Sequence, residues 1–212
     1  MEYLLKNQEA DKKSKILFIL RIIGKSKKMK NIKYMIFVII LFIMLGCSYN
    51  PIVVIITNKG EIEIELDAKK APKHTENFLK LVKEQFYIGT TFHRVIPDGI
   101  IQGGDPNSKD RDKSNDGLGG PGYTVDPEFG LPHLKWSVAA ARQGDHINPE
   151  KKSNGSQFYI CLRDLPMLDK AGYTVFGKVV AGFDTVEKIA NVKRDSNDNP
   201  NRPIVIERMY EK

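Results

Sequence analysis

The amino-acid sequence predicts a mainly β domain, a closed antiparallel sheet with helices packed against it, over residues 52–212 and behind an export segment. Three observations carry this. Residues Glu61 to Leu66 alternate strictly between acidic and aliphatic side chains, the period-2 signature of a half-buried strand. From Tyr87 onward, short apolar runs are cut by Gly or Pro every eight to twelve residues, which suits successive antiparallel strands. Helical spacing occurs in only two short stretches.

In chain order, Ile52 to Thr57 is a β-branched run, the turn Asn58-Lys59-Gly60 follows, and the alternating run completes a hairpin. Ala71 to Glu84 reads as a helix with Pro72 at its start and Phe78, Leu79, Leu81, Val82 and Phe86 at helical spacing. Asn107 to Gly122 is polar and glycine-rich, a long surface loop. The run Phe158 to Cys161 reads as a buried strand, Phe183 to Ala190 as a second helix and Ile204 to Tyr210 as a final strand.

The front end has a different character. Met29 to Cys47 reads as a charged start, an unbroken apolar run from Tyr34 to Leu45, then Gly46-Cys47, the order of a secretory signal peptide. About a dozen apolar residues at 1.5 Å each fall short of a hydrocarbon core of about 30 Å, which disfavours a permanent span. Leu45-Gly46-Cys47 resembles a bacterial lipobox, where a small residue precedes a Cys that is acylated and becomes the new N-terminus. The expectation is therefore a signal peptide over 29–46, a lipidated Cys47 with a short tether to residue 51, and a membrane-anchored exported protein. Simple cleavage near this point and an uncleaved anchor are the alternatives. Because signal peptides start at their charged region, Met29 is the expected start and residues 1–28 an extension that is not part of the protein.

The charge follows the same division. Residues 1–46 hold ten of the 33 Lys and Arg and three of the 26 acidic residues, so the net charge of +7 lies wholly there and 23 of each sign remain from Cys47 onward. A neutral folded part gives no reason to expect nucleic acid. The two cysteines, Cys47 and Cys161, would need a chain terminus tied to the core to pair, so no disulfide is expected. His74, His93, His133 and His146 are too scattered for a zinc site, and no HExxH occurs. Gly117-Leu118-Gly119-Gly120 lacks the GK[ST] word and strand-turn-helix setting of a phosphate cradle. Asn154-Gly155-Ser156, formally a glycosylation word, reads as a tight turn entering a strand.

Four words remain: Phe92-His93-Arg94-Val95-Ile96-Pro97, Gln102-Gly103-Gly104-Asp105, Asn154-Gly155-Ser156-Gln157-Phe158-Tyr159-Ile160 and Val175-Phe176-Gly177-Lys178. In this order and at these distances they resemble the cyclophilin family of peptidyl-prolyl isomerases, from Ile52 to the chain end. The resemblance implies a closed eight-stranded antiparallel barrel capped by two α-helices, a substrate groove on its outer face, and proline-containing polypeptides as partners. It places Arg94 and Gln102 in catalytic roles, with Phe92 and His93 beside them. Phe92, His93, Ile100, Ala139, Ala140, Tyr159, Met167, Leu168 and Tyr173 fall at substrate-binding positions. No cofactor or metal is implied, and a monomer is expected.

Rotating an X-Pro bond breaks amide resonance, a barrier of about 20 kcal/mol, while no bond is made or cut. A catalyst needs an apolar pocket for the proline ring, hydrogen bonds for the flanking peptide, and a cation that favours a pyramidal imide nitrogen. Arg94 suits the cation, since it stays protonated and its planar fork can address the prolyl carbonyl and nitrogen together. Gln102 suits the holding of that guanidinium and a substrate carbonyl. His93 is read first as structural, because the mechanism needs no general base.

The pocket departs from the family. Gly99-Ile100 stands where many relatives have Phe-Met, Tyr159 where a Phe usually floors the pocket, Met167 where several have Trp, and Tyr173 where several have His. Losing a buried ring costs on the order of 1–3 kcal/mol of grip, so weak substrate binding and weak cyclosporin binding are expected before lost chemistry. Phe158 and Tyr159 alternate along one strand, and the resemblance selects Tyr159 for the groove. Two further readings stay open: a cyclophilin-fold module that binds proline-containing segments without turnover, and a lipoprotein of unrelated function.

Overall fold

The computed structural model describes residues 50–212. The expectations for Cys47, for the signal peptide over 29–46 and for residues 1–28 lie outside them. Strand β1 (Ile52–Thr57) and strand β2 (Gly60–Leu66) form the expected hairpin, in register from Ile52 opposite Glu65 to Thr57 opposite Gly60. Thr57 closes the turn, its hydroxyl donating to the Gly60 carbonyl at 2.8 Å and accepting from the Lys59 N–H at 3.0 Å. The alternation has the predicted consequence: Ile62, Ile64 and Leu66 are fully buried while Glu61 is exposed and Glu63 and Glu65 half-buried.

Helix α1 (Pro72–Lys83) begins on Pro72, whose missing N–H is an orphan at that position anyway, and buries Phe78, Leu81 and Val82. The remaining strands are β3 (Arg94–Ile96), β4 (Ile100–Gly103), β5 (Thr124–Val125), β6 (Ser137–Ala140), β7 (Ser153–Asn154), β8 (Phe158–Cys161), β9 (Thr174–Ala181) and β10 (Ile206–Glu211). Eight of them form one antiparallel sheet in the order β10-β1-β2-β9-β6-β8-β4-β3, and β5 pairs with β7 separately. The aromatic centre of the core lies between α1 and this sheet, where Phe158 meets Phe78, Tyr87 and Phe92 edge-on at 5.5, 5.8 and 5.9 Å between ring centres.

Two expectations are corrected. The sheet is curled but not closed: β10 and β3 are its end strands, and among the described residues only the isolated Thr91–Val205 bridge and single bonds such as Phe92 N–H to the Ile204 carbonyl (2.9 Å) and Val95 N–H to the Asp198 carbonyl (2.8 Å) span the gap. The segment facing β3 carries Pro200 and Pro203, which have no N–H to contribute to a continuous ladder. There are also three α-helices among the described residues rather than two: α2 (Pro166–Ala171) precedes the expected α3 (Phe183–Ala190). Six residues are too few for a helical period to show in the sequence. Among the described residues no helix is long and apolar enough to cross a membrane.

The polar loop after β4 is built around Asp105, which is fully buried and accepts hydrogen bonds from the backbone N–H groups of Asn107 (2.8 Å), Gly117 and Gly119 (3.2 Å). A side chain at Gly119 would collide with that carboxylate, which explains the glycine.

Candidate active site

Directly paired residues of neighbouring strands share a face, so register alone assembles a site. Arg94 on β3 lies opposite Gln102 on β4, Gln102 opposite Tyr159 on β8, Tyr159 opposite Ala139 on β6, and Ala139 opposite Val175 on β9. This row runs across five strands on the outer face. The same face carries an apolar cluster of Ala139, Tyr159, Cys161, Leu165 and Val175, with Ile100, Leu131, Ala141, Leu168 and Tyr173 packed on it. Arg94 is exposed at one end of the row and takes part in no ion pair or side-chain hydrogen bond among the described residues, so its guanidinium is available to a ligand. Met167 stands at the rim, 51% exposed.

Gln102 was expected to hold the Arg94 guanidinium, and among the described residues no hydrogen bond joins the two side chains. The Gln102 amide donates to Gln157 Oε1 at 2.9 Å, and Gln157 in turn donates to the carbonyls of Gly117 and Gly119 at 2.9 and 2.8 Å. The glutamine is therefore fixed by the polar loop and not by Arg94. Gln157 stands two residues before Tyr159, on the same face of the run, a signal that was present in the sequence and passed over.

Phe92 and Ala140, assigned to the groove from sequence, belong instead to the core cluster on the inner side. For Ala140 strand periodicity is the reason, since it is one step along β6 from Ala139 and one step reverses the face; Phe92 lies ahead of β3, outside the ladder, and packs edge-on against Phe158 in the core. His93 is buried beneath the loop, near Gly117, with neither ring nitrogen hydrogen-bonded. Burial pushes its pKa down, against the opposing pull of the Asp105 and Asp116 carboxylates. Burial likewise raises the Tyr159 phenol far above its usual range and pushes the Cys161 thiol up to about 12, so both stay protonated. Among the described residues no group of His, Cys, Asp and Glu is placed to hold a metal ion.

The Tyr159 hydroxyl has a partner that sequence reasoning missed. His133 Nε2 lies 2.9 Å from it, and His133 Nδ1 lies 2.6 Å from Asp169 Oδ1. Tyr159 also meets Tyr173 edge-on at 6.2 Å, and the Arg142 guanidinium stacks 4.5 Å over Tyr173. His133 is 26 positions from Tyr159, and no local pattern links them.

The place of the missing aromatic at Gly99 is not empty. A Cβ there would sit 2.9 Å from Ile96 Cγ2 and 3.3 Å from the Ile96 carbonyl oxygen. Gly99→Phe is therefore expected to overpack, with a stability loss of about 1–3 kcal/mol, and to tighten peptide binding only when combined with Ile96→Ala. Denaturant melts and calorimetric titration of the single and double variants check this. A single variant as stable as the wild type would show that Ile96 yields freely.

His74, also buried, sets a pH dependence together with His93. His74 Nδ1 lies 2.7 Å from Glu128 Oε2 and its Nε2 lies 2.9 Å from Ser153 Oγ, and burial lowers its pKa despite the glutamate. For His74 and His93 the folded pKa lies below the unfolded value of 6.5, so the unfolded chain takes up protons first. Stability is then full above about pH 6.5 and falls as pH drops towards the folded values, by up to about 1.4 kcal/mol per pH unit and group. The urea midpoint should be lower at pH 5.5 than at pH 7.5, a range in which carboxylates stay ionised. An unchanged or higher midpoint at pH 5.5 would contradict it.

Comparisons with known proteins bear on the family and the fold. The family model described as cyclophilin type peptidyl-prolyl cis-trans isomerase matches residues 52–211. The chain is 37% identical over 163 residues to peptidyl-prolyl cis-trans isomerase A of Dickeya dadantii, covering 73% of this chain and 81% of that protein. It is 39% identical over 165 residues to a peptidyl-prolyl cis-trans isomerase of Acinetobacter baylyi, covering 74% and 83%. The crystal structure of a cyclophilin-type isomerase from Cryptosporidium parvum superposes with a TM-score of 0.69 at 34% identity, over 77% of this chain and 98% of that one. A second structure of the same protein, determined in the presence of the dipeptide Ala-Pro, gives a TM-score of 0.67 at 33% identity, over 76% and 98%. With one family model running from β1 to β10, relatives above one third identity and a shared fold, the chain belongs to the cyclophilin family of peptidyl-prolyl cis-trans isomerases.

Proposed function

We propose that the outer-face row is the isomerase groove and that Arg94 turns the bond. In this reading the proline ring rests on Tyr159 and Ala139, between Ile100 and the wall of Leu168 and Tyr173, with Met167 at the rim. The Arg94 guanidinium addresses the prolyl carbonyl and the imide nitrogen, stabilising the pyramidal nitrogen of the twisted state. Gln102, preset by Gln157, holds the neighbouring substrate carbonyl. His93, shielded by the loop, supports β3 from beneath without touching the peptide. The observation that carries this reading is the register Arg94–Gln102–Tyr159–Ala139, which sets an exposed cation, without a side-chain partner among the described residues, beside an apolar cluster on the outer face of the sheet.

The physiological setting belongs to the same proposal. The order of charged start, short apolar run and Gly46-Cys47 supports export, acylation of Cys47 and a membrane-tethered isomerase acting on proline bonds of exported or surface proteins. The clients are proline-containing polypeptides, and cyclosporin binds weakly because the pocket rim has fewer rings. Catalysed isomerisation of a short X-Pro peptide by the detergent-purified protein tests the activity; peptide binding without turnover would favour the binding-module reading. Mass spectrometry of the N-terminal peptide tests the anchor. An unmodified Cys47 inside a longer peptide from membrane fractions would refute it.

A further inference from the structure

The groove wall rests on a helix that cannot hold itself. With six residues, α2 is far below the length at which an isolated helix is stable, so the position of Met167 and Leu168 depends on tertiary ties. Those ties are polar and come from both ends. Asp169 Oδ1 accepts from the His133 backbone N–H at 2.9 Å and faces His133 Nδ1 at 2.6 Å. Arg142 donates to the carbonyls of Ala171 at 2.6 Å and Gly172 at 3.1 Å, and Lys151 donates to Ala171 at 3.2 Å. The His133 carbonyl also accepts the Leu165 N–H at 2.8 Å, just before the helix starts.

His133 does more than anchor the wall. Its side chain is fully buried, and its second ring nitrogen meets the Tyr159 hydroxyl at 2.9 Å. A carboxylate only accepts, so Nδ1 carries the proton towards Asp169, and in the neutral ring the bare Nε2 accepts from the Tyr159 O–H. One imidazole thus joins the floor of the pocket, on β8, to its wall, on α2.

We propose that His133 and Asp169 are positioning residues of the isomerase groove, fixing the spacing between the Tyr159 floor and the Leu168 wall and thereby setting substrate affinity rather than the rate of bond rotation. The inference rests on the groove reading given above. Neither residue reaches the reacting bond, which lies at the Arg94 and Gln102 end of the row. Their hydrogen bonds act beside the ring contacts of Tyr159 with His133 at 6.0 Å and with Tyr173 at 6.2 Å, so a polar tie and aromatic packing meet at the junction of floor and wall.

Asp169→Ala is the direct test, because this side chain is 37% exposed and its loss leaves the core filled. Its KM for an X-Pro peptide should rise about five- to tenfold while kcat stays within twofold. Asp169→Asn should return KM to within about twofold of wild type, since the amide oxygen can accept the same two bonds. In the double variant Asp169→Ala/Tyr159→Phe, KM should be no worse than in Asp169→Ala alone, because the hydroxyl acts through His133. An unchanged KM in Asp169→Ala, an equal loss in kcat, or an Asn variant as impaired as Ala would each overturn the proposal. A wild type without turnover would instead strike the isomerase reading, and the same variants, read as peptide Kd by calorimetry, would still decide the role of the tie.

Discussion

Replacing Arg94 by Ala is expected to lower kcat/KM for an X-Pro peptide by about a hundredfold or more while leaving the melting temperature within a degree or two of wild type. Two decades correspond to about 2.7 kcal/mol of transition-state stabilisation, a reasonable share for one preorganised charged donor set. The stability side follows from the surroundings. Arg94 is exposed at the start of β3 and makes no ion pair or side-chain hydrogen bond among the described residues, so its removal strands no buried partner. Arg94→Lys should recover little activity, because an ammonium on a flexible stem cannot present two parallel donors to the carbonyl and the imide nitrogen. Stopped-flow isomerisation assays and thermal melts of the three proteins decide it. Near-native turnover in a well-folded Arg94→Ala would transfer the chemistry to another group, and a large drop in melting temperature would mean that Arg94 is structural.

The largest effect on stability is expected one residue from the pocket floor. Phe158 is 1% exposed and meets Phe78, Tyr87 and Phe92 edge-on, so it joins α1, the segment after it and the approach to β3 in one aromatic cluster. Phe158→Ala removes three ring–ring contacts and opens a cavity, and is expected to cost about 3–5 kcal/mol. Against a typical net stability of 5–15 kcal/mol this is a third or more, enough to leave part of the population unfolded at 37 °C. Urea unfolding followed by fluorescence gives the number. A loss below about 1 kcal/mol would mean that the neighbouring rings collapse into the gap and that the cluster is not the keystone of the core. Tyr159→Phe, its neighbour on the opposite face, should show a far smaller loss, since the ring remains and only the bond to His133 goes.

That neighbouring pair shows where sequence reading stops. Alternation along Phe158 to Cys161 requires Phe158 and Tyr159 to face opposite ways, but which one faces the core depends on the strands beside them. Pairing with Gln102 and Ala139 decided it. The same limit explains Ala140, which is one step from Ala139 along β6 and therefore enters the core; Phe92 also enters the core, from the segment ahead of β3 where no strand period applies. Arg94 and Gln102 lie within words whose order and spacing are distinctive, and the pairing of β3 with β4 sets them opposite one another; Ile100, Ala139, Leu168 and Tyr173 lie outside those words and were placed by the resemblance alone.

What the sequence determined by itself were the properties that are local or periodic. The hairpin of β1 and β2, the start of α1 on Pro72, α3 and the chemistry-bearing words all follow from neighbours within a few residues, where propensity and side-chain direction act. Tertiary structure decided whatever joins distant segments. The sheet stays open because the segment from Asp198 to Ile204, which meets β3 and the residues before it by single bonds, carries Pro200 and Pro203 without N–H groups; α2 exists because Asp169, Arg142 and Lys151 tie down six residues that would not hold a helix alone; and Gln102 is set by Gln157 through the loop built on Asp105. Hydrogen bonds across 26 to 55 residues leave no period to read, since their geometry arises only once the β-sheet has fixed which side chains share a face.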